Sequence, residues 1–131
     1  MIGLDTNILY RLLFVDDAGQ AQIARNFVRT AIEKGETFFV NSIAMCELVW
    51  LLRSQGIERA EIVHTLENLL TASGVEVERR EEMWAALSDY KNKGADFADH
   101  LMGTINASFS CTTTITFDTG LKRSRHFRIL S

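Results

Sequence analysis

Acidic residues recur at four places in this chain, each beside a segment that could form a strand or begin a helix. They are Asp5, Glu47, the pair Asp96 and Asp99, and Asp118. Carboxylate oxygens are the ligands that hard divalent cations such as Mg²⁺ and Mn²⁺ prefer, and a cation held by several acids commonly acts on a phosphate substrate. These residue types therefore indicate a metal-dependent phosphodiesterase, if the fold brings the acids together.

The elements that would position these acids alternate between short β-rich runs and longer helical patterns, as in parallel βαβ units. The predicted strands are Met1–Leu4, Thr37–Val40, Val75–Val77, Cys111–Phe117 and Phe127–Leu130. The predicted helices are Thr6–Phe14, Ala18–Lys34, Ile43–Gln55, Glu58–Ala72, Arg80–Lys91 and Phe97–Phe109. Gly35, Gly56 and Gly94 stand where helix C-terminal caps would lie, and the chain has no proline to interrupt a helix. The pattern predicts an α/β fold.

The acids occupy equivalent positions relative to these elements. Asp5 closes the first predicted strand, Glu47 lies in the first turns of the helix after the second, and Asp118 follows the fourth. Asp96 and Asp99 are spaced i and i+3, so they share one face at the start of the helix that leads into the fourth strand. Open parallel sheets bind ligands at the carboxyl ends of their strands. The sequence thus predicts one shared acidic cavity.

Each acid also has a structural explanation. Asp5, Asp96 and Asp118 could be N-caps of the helices that follow them. Glu47 is different, because it is the only charged residue between Ile43 and Leu52, and a buried carboxylate without a partner is very costly. It needs a nearby cation or an opening to water. Unrelated caps would have no reason to fall at one end of one sheet, which favours the shared site.

The bulk composition is that of a compact globular protein. With 131 residues, 47% of them hydrophobic and 24% charged, we expect a single domain over residues 1–131. No apolar stretch approaches the roughly 20 residues of a membrane span, and Asp5 comes too early for a signal peptide. Cys46 and Cys111 have no CxxC spacing and are predicted to be buried free thiols in a reducing cytoplasm.

Charge excludes a general electrostatic affinity for nucleic acid, since the net charge is −3 and the pI is about 5.6. Any contact with phosphate must therefore be local. The candidate is a C-terminal basic segment that comprises Lys122, Arg123, Arg125, His126 and Arg128. Such a run is either a solvated charged face or a phosphate contact, and the sequence leaves both open.

Four segments in fixed order carry a resemblance to a known family. Leu4-Asp5-Thr6-Asn7, Glu47 in its apolar helix, Asp96-Phe97-Ala98-Asp99 and Thr116-Phe117-Asp118 resemble the PIN-domain ribonucleases, most closely the toxins of VapBC toxin-antitoxin systems. The resemblance implies a three-layer α/β/α sandwich with a central parallel sheet of four or five strands. It also implies a Mg²⁺- or Mn²⁺-dependent endoribonuclease that hydrolyses single-stranded RNA.

The resemblance assigns roles to particular residues. The catalytic acids would be Asp5, Glu47, Asp99 and Asp118, and the metal would lie among Asp5, Asp99, Asp118 and the accessory Asp96. A cation there would lower the pKa of a bound water and neutralise charge on the phosphate. Substrate contacts would come from Thr6, Asn7, Thr116, Lys122, Arg123 and Arg125. His100 departs from the small residue usual after the third acid, and we expect a surface histidine rather than a polar group over the cavity.

Partners are expected from one helix and from the resemblance. The predicted helix is apolar nearly all round between Ile43 and Leu52, so part of its surface, including Trp50, must be covered. The cover could be the apolar pattern of residues 57–70 or an interface. The resemblance implies a homodimer and a small VapB-like antitoxin that blocks the acidic cavity. The alternative function is a non-catalytic RNA-binding or scaffold PIN domain, but such domains usually lose several acids that are all present here.

Overall fold

A computed structural model describes residues 1–14 and 18–131, which form six helices, five strands and a 3-10 turn. The helices α1 to α6 are Thr6–Leu13, Ala18–Glu33, Ser42–Ser54, Arg59–Thr71, Arg80–Lys93 and Phe97–Ser108. The strands β1 to β5 are Ile2–Gly3, Phe38–Val40, Val75–Val77, Thr114–Thr116 and Phe127–Ile129, and the 3-10 turn is Thr119–Leu121. Each predicted element is therefore present, the largest difference being the shorter β4. Within these residues no helix combines the length and apolarity needed to cross a membrane.

The strands pair in parallel, which confirms the predicted α/β class, but they divide between two small sheets. β2 lies between β1 and β3, with Phe38 opposite both Ile2 and Val75. β4 pairs separately with β5, with Thr114 opposite Phe127. Strands of two or three residues form few ladder hydrogen bonds, so packing of the helices has to hold them in place.

The core lies between β2, β3 and the helices α3 to α6. Its fully buried side chains include Val40, Met45, Leu48, Leu52, Ile62, Leu66, Leu70, Val77, Met83, Tyr90 and Phe97. Helices α5 and α6 pack closely, and the rings of Tyr90 and Phe97 meet edge to face with centroids 6.0 Å apart. The apolar spacing of α4 accounts for its buried stripe, since residues three and four apart share one face. These contacts fix α6, which carries two of the predicted acids.

Helix α3 has one surface that nothing in the described chain covers. Ala44, Met45, Leu48, Val49 and Leu52 are buried, whereas Ile43 is 70% exposed and Trp50 is 50% exposed. Glu47 lies between these two exposed residues on the same face and is itself exposed. Of the two possibilities for Glu47, a cation or an opening to water, the structure provides the opening to water.

The turn between α5 and α6 has an unusual backbone. Gly94 and Ala95 both adopt positive φ angles, 69° and 59°, and Ala95 is a residue type that seldom does so. Gly94 lies at a helix end, as predicted. The same prediction is confirmed for Gly35 and Gly56, whose φ angles are 81° and 79°. Two consecutive residues with positive φ turn the chain sharply, and Asp96 caps α6 immediately afterwards.

The two cysteines are free, as predicted, but their burial differs: Cys46 is half-buried and Cys111 is exposed. Burial raises the pKa of Cys46 to about 11, with Asp96 and Glu47 adding to the rise. Cys111 is exposed, so its predicted burial was wrong. The reason is that β4 begins only at Thr114, which leaves Cys111 in the preceding loop instead of inside a strand.

Candidate active site

Asp5 lies at the end of β1 and is the N-cap of α1. Its Oδ1 accepts hydrogen bonds from the backbone N–H groups of Asn7 at 2.8 Å and Ile8 at 3.1 Å. These donors belong to the first turn of a helix, where backbone N–H groups otherwise lack partners and favour negative charge. The capping explanation of Asp5 is therefore confirmed. The cap also holds this carboxylate at the edge of β1, where the sequence predicts the acidic cavity.

Glu47 is joined to the same region by Thr6. The Thr6 hydroxyl donates to Glu47 Oε1 at 3.0 Å, which links the first turn of α1 to α3. Asp5, Thr6, Asn7 and Glu47 line one cavity of about 450 Å³, with Asn41 at its other side. Asn41 is itself the N-cap of α3, accepting from the backbone N–H of Ala44 at 2.8 Å. Four of the predicted site residues are thus brought together by two helix N-termini.

Asp99 and Asp118 form the second part of the acidic region. Burial raises the pKa of Asp99, and the negative charges of Asp96 and Asp118 raise it further. Asp118 follows β4 and caps the 3-10 turn, with its Oδ1 accepting from the N–H of Gly120 at 2.8 Å. The Thr116 hydroxyl accepts from the backbone N–H of Asp118 at 3.0 Å, so Thr116 orients this turn. Asp99 of α6 therefore lies near both Asp96, which caps the same helix, and Asp118, which follows β4.

Asp96 uses both carboxylate oxygens in contacts within the protein. Its Oδ2 accepts from the indole Nε1 of Trp50 at 2.8 Å. Its Oδ1 accepts from Arg53 at 3.2 Å and from the backbone N–H of Phe97 at 2.8 Å, which makes Asp96 the N-cap of α6. Asp96 therefore connects α6 to α3. Its predicted role as an accessory metal ligand stays a prediction and would compete with these three donors.

Cys46 connects the two parts of the region. The negative charges of both Asp96 and Glu47 raise its pKa, so this thiol lies within electrostatic reach of an acid from each part. The structure thus places Asp5 and Glu47 at one cavity, and Asp99 near Asp96 and Asp118. That the two sets of acids form one shared site stays a prediction.

A divalent cation suits this region in chemistry and charge, although its acids are not gathered around one point. In residues 1–14 and 18–131, no three Asp, Glu, His or Cys side chains form a ligand group. Mg²⁺ usually keeps several waters and takes only one or two carboxylates plus substrate phosphate oxygens, so a closed protein cage is not required. The predicted donors are all carboxylates, and burial together with the charges of Asp96 and Asp118 raises the pKa of Asp99, which a nearby cation would oppose. The residues present thus fit Mg²⁺ or Mn²⁺.

His100 is buried, contrary to the expectation of a surface histidine. Its side chain is 1% exposed, Nε2 lies 2.5 Å from the carbonyl oxygen of Gly94, and Nδ1 has no hydrogen-bond partner in the structure. The face of α6 that packs on α5 is formed by Phe97, His100, Leu101 and Thr104. This spacing of three and four residues is a signal that could have located His100 in the interior.

The basic segment is accessible to a large ligand. The exposed residues are Lys122, Arg123, Arg125 and Arg128. Leu121, directly before the segment, and Ser124, within it, are buried and anchor it. Lys122 and Arg123 follow the 3-10 turn that Asp118 begins, so the positive charges start within a few residues of an acid. Both explanations of this segment, phosphate contact and solvated face, stay predictions.

Several residues that hold the region together were missed by the sequence analysis. Trp50 and Arg53 contact Asp96, and neither was assigned a site role. Arg59 donates to the carbonyl oxygens of Tyr90 and Ala95 at 2.7 and 3.0 Å, and its guanidinium lies 4.1 Å from the centre of the Tyr90 ring. Only the spacing of Trp50, three residues after Glu47 on one helix, was visible in advance.

Replacing Asp99 by Asn should stabilise the metal-free protein. The folded-state pKa of Asp99 is raised, so its charged form opposes folding above that pKa, and the effect disappears as falling pH protonates the wild-type residue. We expect the thermal midpoint in EDTA at pH 7 to rise by roughly 1–4 °C and the gain to shrink towards pH 4. The control is Glu76→Gln, an exposed acid on β3 away from helix ends, which should give no gain. Equal midpoints for Asp99→Asn and the wild type at pH 7 would contradict this account.

Comparison with known proteins agrees with the arrangement of strands, helices and acids. A family model described as the PIN domain matches residues 2–126, nearly the whole chain. No curated protein matches the chain. PIN domains are generally nucleases, and the acids at the carboxyl ends of the strands are of the kind that such hydrolases use. With this match over most of its length, the chain belongs to the PIN domain family.

Proposed function

We propose that this protein is an endoribonuclease that hydrolyses RNA phosphodiester bonds with Mg²⁺ or Mn²⁺ as its cofactor. The observation that carries the proposal is the acidic region formed by Asp5, Glu47, Asp99 and Asp118. Thr6 holds Glu47 beside Asp5, and the pKa of Asp99 is raised by burial and by the charges of Asp96 and Asp118. Acids that lie close together are suited to binding a metal ion and a phosphate together.

The chain's own residues have distinct tasks in this mechanism. A bound cation would lower the pKa of a water molecule and neutralise charge on the attacked phosphate, and Asp5, Asp99 and Asp118 would hold it. Thr6 fixes the Glu47 carboxylate by its hydrogen bond to Oε1, so Glu47 can orient the attacking water and accept its proton. Thr116 keeps Asp118 in place through the backbone. Asn7 presents an amide near a helix N-terminus, which is a favourable place for a phosphate oxygen.

The acids should be required for cleavage. Asp5→Asn retains a good N-cap residue but loses a charge, and Asp99→Asn loses the charge that repels its neighbours, so both variants should fold. We expect each to lower kcat on an unstructured, fluorophore-labelled RNA by roughly 100-fold or more. Activity of the wild type should require added Mg²⁺ or Mn²⁺ and disappear in EDTA.

The matched control is Glu33→Gln, which removes one exposed negative charge near the end of α2. It should cleave at the wild-type rate. Wild-type activity in either site variant, or cleavage by the wild type in EDTA, would refute the assignment. Tight binding of RNA without any cleavage in the presence of metal would favour the non-catalytic RNA-binding alternative.

The basic segment should supply the electrostatic part of RNA binding. We propose that Lys122, Arg123 and Arg125 contact phosphates, because they are exposed and follow directly after Asp118 and its turn. Each phosphate contact on a single strand releases counterions and contributes about 0.7 to the slope of log affinity against log salt. Alanine at all three positions should therefore lower that slope by about 2 and leave Mn²⁺ affinity unchanged.

A second triple variant provides the comparison for that experiment. Arg25, Arg29 and Lys34 are exposed residues of α2 and the turn after it, and their replacement by Ala changes the net charge equally. This control should keep the wild-type salt slope. Equal slopes for both triple variants and the wild type would leave the solvated-face explanation of the basic segment standing.

We further propose that the protein is the toxin of a type II toxin-antitoxin pair, acting as a homodimer that a small VapB-like antitoxin restrains. Two exposed apolar surfaces support the proposal of partners. Ile43 and Trp50 are exposed on α3. Ile8, Ile23 and Phe27 line a groove of about 920 Å³ between α1 and α2 that reaches Asp5. An apolar segment in this groove would lie against the acidic region and block it.

The dimer can be tested by light scattering of the isolated protein at micromolar concentration. We expect a dimer for the wild type and a monomer for Ile43→Glu, because a charge on the exposed face of α3 would oppose its burial in an interface. Phe27→Glu should leave the dimer intact. It should abolish co-purification with the proposed antitoxin, the product of a short adjacent reading frame. A monomeric wild type would refute the dimer, and retained co-purification of Phe27→Glu would refute the groove.

A further inference from the structure

Two acids of the proposed site come from different helices, so their separation depends on how those helices are joined. Glu47 belongs to α3 and Asp99 to α6. Helices α3 and α6 share far fewer contacts than α5 and α6 do. The described polar contacts between α3 and α6 converge on Asp96, which accepts from Trp50 at 2.8 Å and from Arg53 at 3.2 Å. Apolar packing in the core also holds α3 and α6 together, but these polar contacts are directional and lie beside the acids.

The positions of the joined residues relate directly to the acids. Trp50 lies three residues after Glu47 on α3, and Asp96 lies three residues before Asp99 at the start of α6. Residues three apart in a helix share one face and lie about one turn from each other. The hydrogen bond between Trp50 and Asp96 therefore joins the two helices one turn away from the acid on each.

The hydrogen bond from the Trp50 indole is the more directional of the two side-chain contacts between α3 and Asp96. The Arg53 side chain is 51% exposed, and exposed ion pairs are weak because water screens them and the side chains remain mobile. The indole Nε1 has one N–H in the ring plane, and its bond to a carboxylate is charge-assisted. Trp50 is also half exposed, so burial alone does not explain a tryptophan at this position.

The opposite side of the α6 N-terminus is fixed to the interior. Arg59 of α4 donates to the carbonyl oxygen of Ala95, and His100 Nε2 contacts that of Gly94. The two carbonyl groups belong to the left-handed turn before Asp96. With the turn held from within, the remaining freedom of α6 relative to α3 is restrained by the bonds to Asp96.

We propose that Trp50 is a positioning residue which, through Asp96, sets the position of the proposed metal ligand Asp99 relative to Glu47 and thereby the metal affinity of the site. Asp96 then serves as the acceptor of the indole bond and the cap of α6, and not as a metal ligand. This inference rests on the proposed metal-dependent function. It assigns the tryptophan to the α3–α6 connection within one chain, independently of any partner that covers the exposed ring.

The test compares Trp50→Phe with the wild type. Phenylalanine keeps an aromatic ring and removes only the N–H donor. We expect Mn²⁺ affinity, measured by isothermal titration calorimetry, to fall about 10-fold, as is usual when a residue that orients a metal ligand is lost. RNA cleavage should need correspondingly more Mn²⁺ and return close to the wild-type rate when Mn²⁺ saturates. The matched control is Trp84→Phe on α5, whose side chain lines a small cavity with α4 and should leave the affinity unchanged.

A double-mutant cycle separates the two roles of Asp96. If Asp96 accepts the indole bond, Trp50→Phe should weaken Mn²⁺ binding no further in an Asp96→Ala background, which lacks the acceptor. If Asp96 is a ligand instead, the two effects should add and the loss in Asp96→Ala should be much the larger. Additive effects would overturn the proposal.

The bond itself can be observed without metal or RNA. In a proton–nitrogen NMR correlation spectrum, the indole N–H signal of Trp50 is identified as the one that is absent in Trp50→Phe. This signal should shift in Asp96→Asn, whereas the Trp84 signal should not. An unmoved Trp50 signal, or wild-type Mn²⁺ affinity in a folded Trp50→Phe, would overturn this inference and leave the proposed function intact. A wild-type protein that binds no Mn²⁺ and cleaves no RNA would instead remove the proposed function.

Discussion

Repulsion between carboxylates is the constraint on which the rest of this structure depends. Burial raises the pKa of Asp99, and the negative charges of Asp96 and Asp118 raise it further, so the carboxylates near the start of α6 oppose one another's ionisation. The fold opposes this repulsion with hydrogen-bond donors at the starts of helices. Asp5, Asp96 and Asp118 each accept from backbone N–H groups of the element that they begin. Backbone N–H groups at the starts of these elements thus stabilise the negative charge of the acids that cap them.

Capping and catalysis are therefore compatible explanations of the same residues. Before the structure, the N-cap role of Asp5 and its role at a metal site looked like alternatives. In the structure a single oxygen, Oδ1, takes both capping bonds of Asp5. A carboxylate has a second oxygen, so one side chain can begin a helix and also bind a cation. Asp96 differs, because donors from Trp50, Arg53 and Phe97 occupy both of its oxygens.

Local patterns predicted most of the fold, while contacts between distant segments were beyond them. The six helices follow from apolar spacing and glycine ends, which are properties of neighbouring residues. Asp5 and Asp118 follow β1 and β4 as predicted, because chain order alone fixes which residue follows a strand. The division into two sheets, the burial of His100 and the bond between Trp50 and Asp96 all depend on which surfaces meet. Periodicity in one segment contains no information about its partner, so these features needed the three-dimensional structure.

The pairing of the short strands has a consequence for how the molecule assembles. β1 to β3 pair in parallel, so each strand must find a partner on the far side of an intervening helix or helices. Contacts between segments distant along the chain form late, because closing a long loop loses chain entropy before the new contacts can stabilise it. α5 and α6 are adjacent along the chain and can associate early. Asp5 and Glu47 are brought together only when β1 reaches β2, so we expect the nascent chain to form the cavity between them only at a late stage of folding.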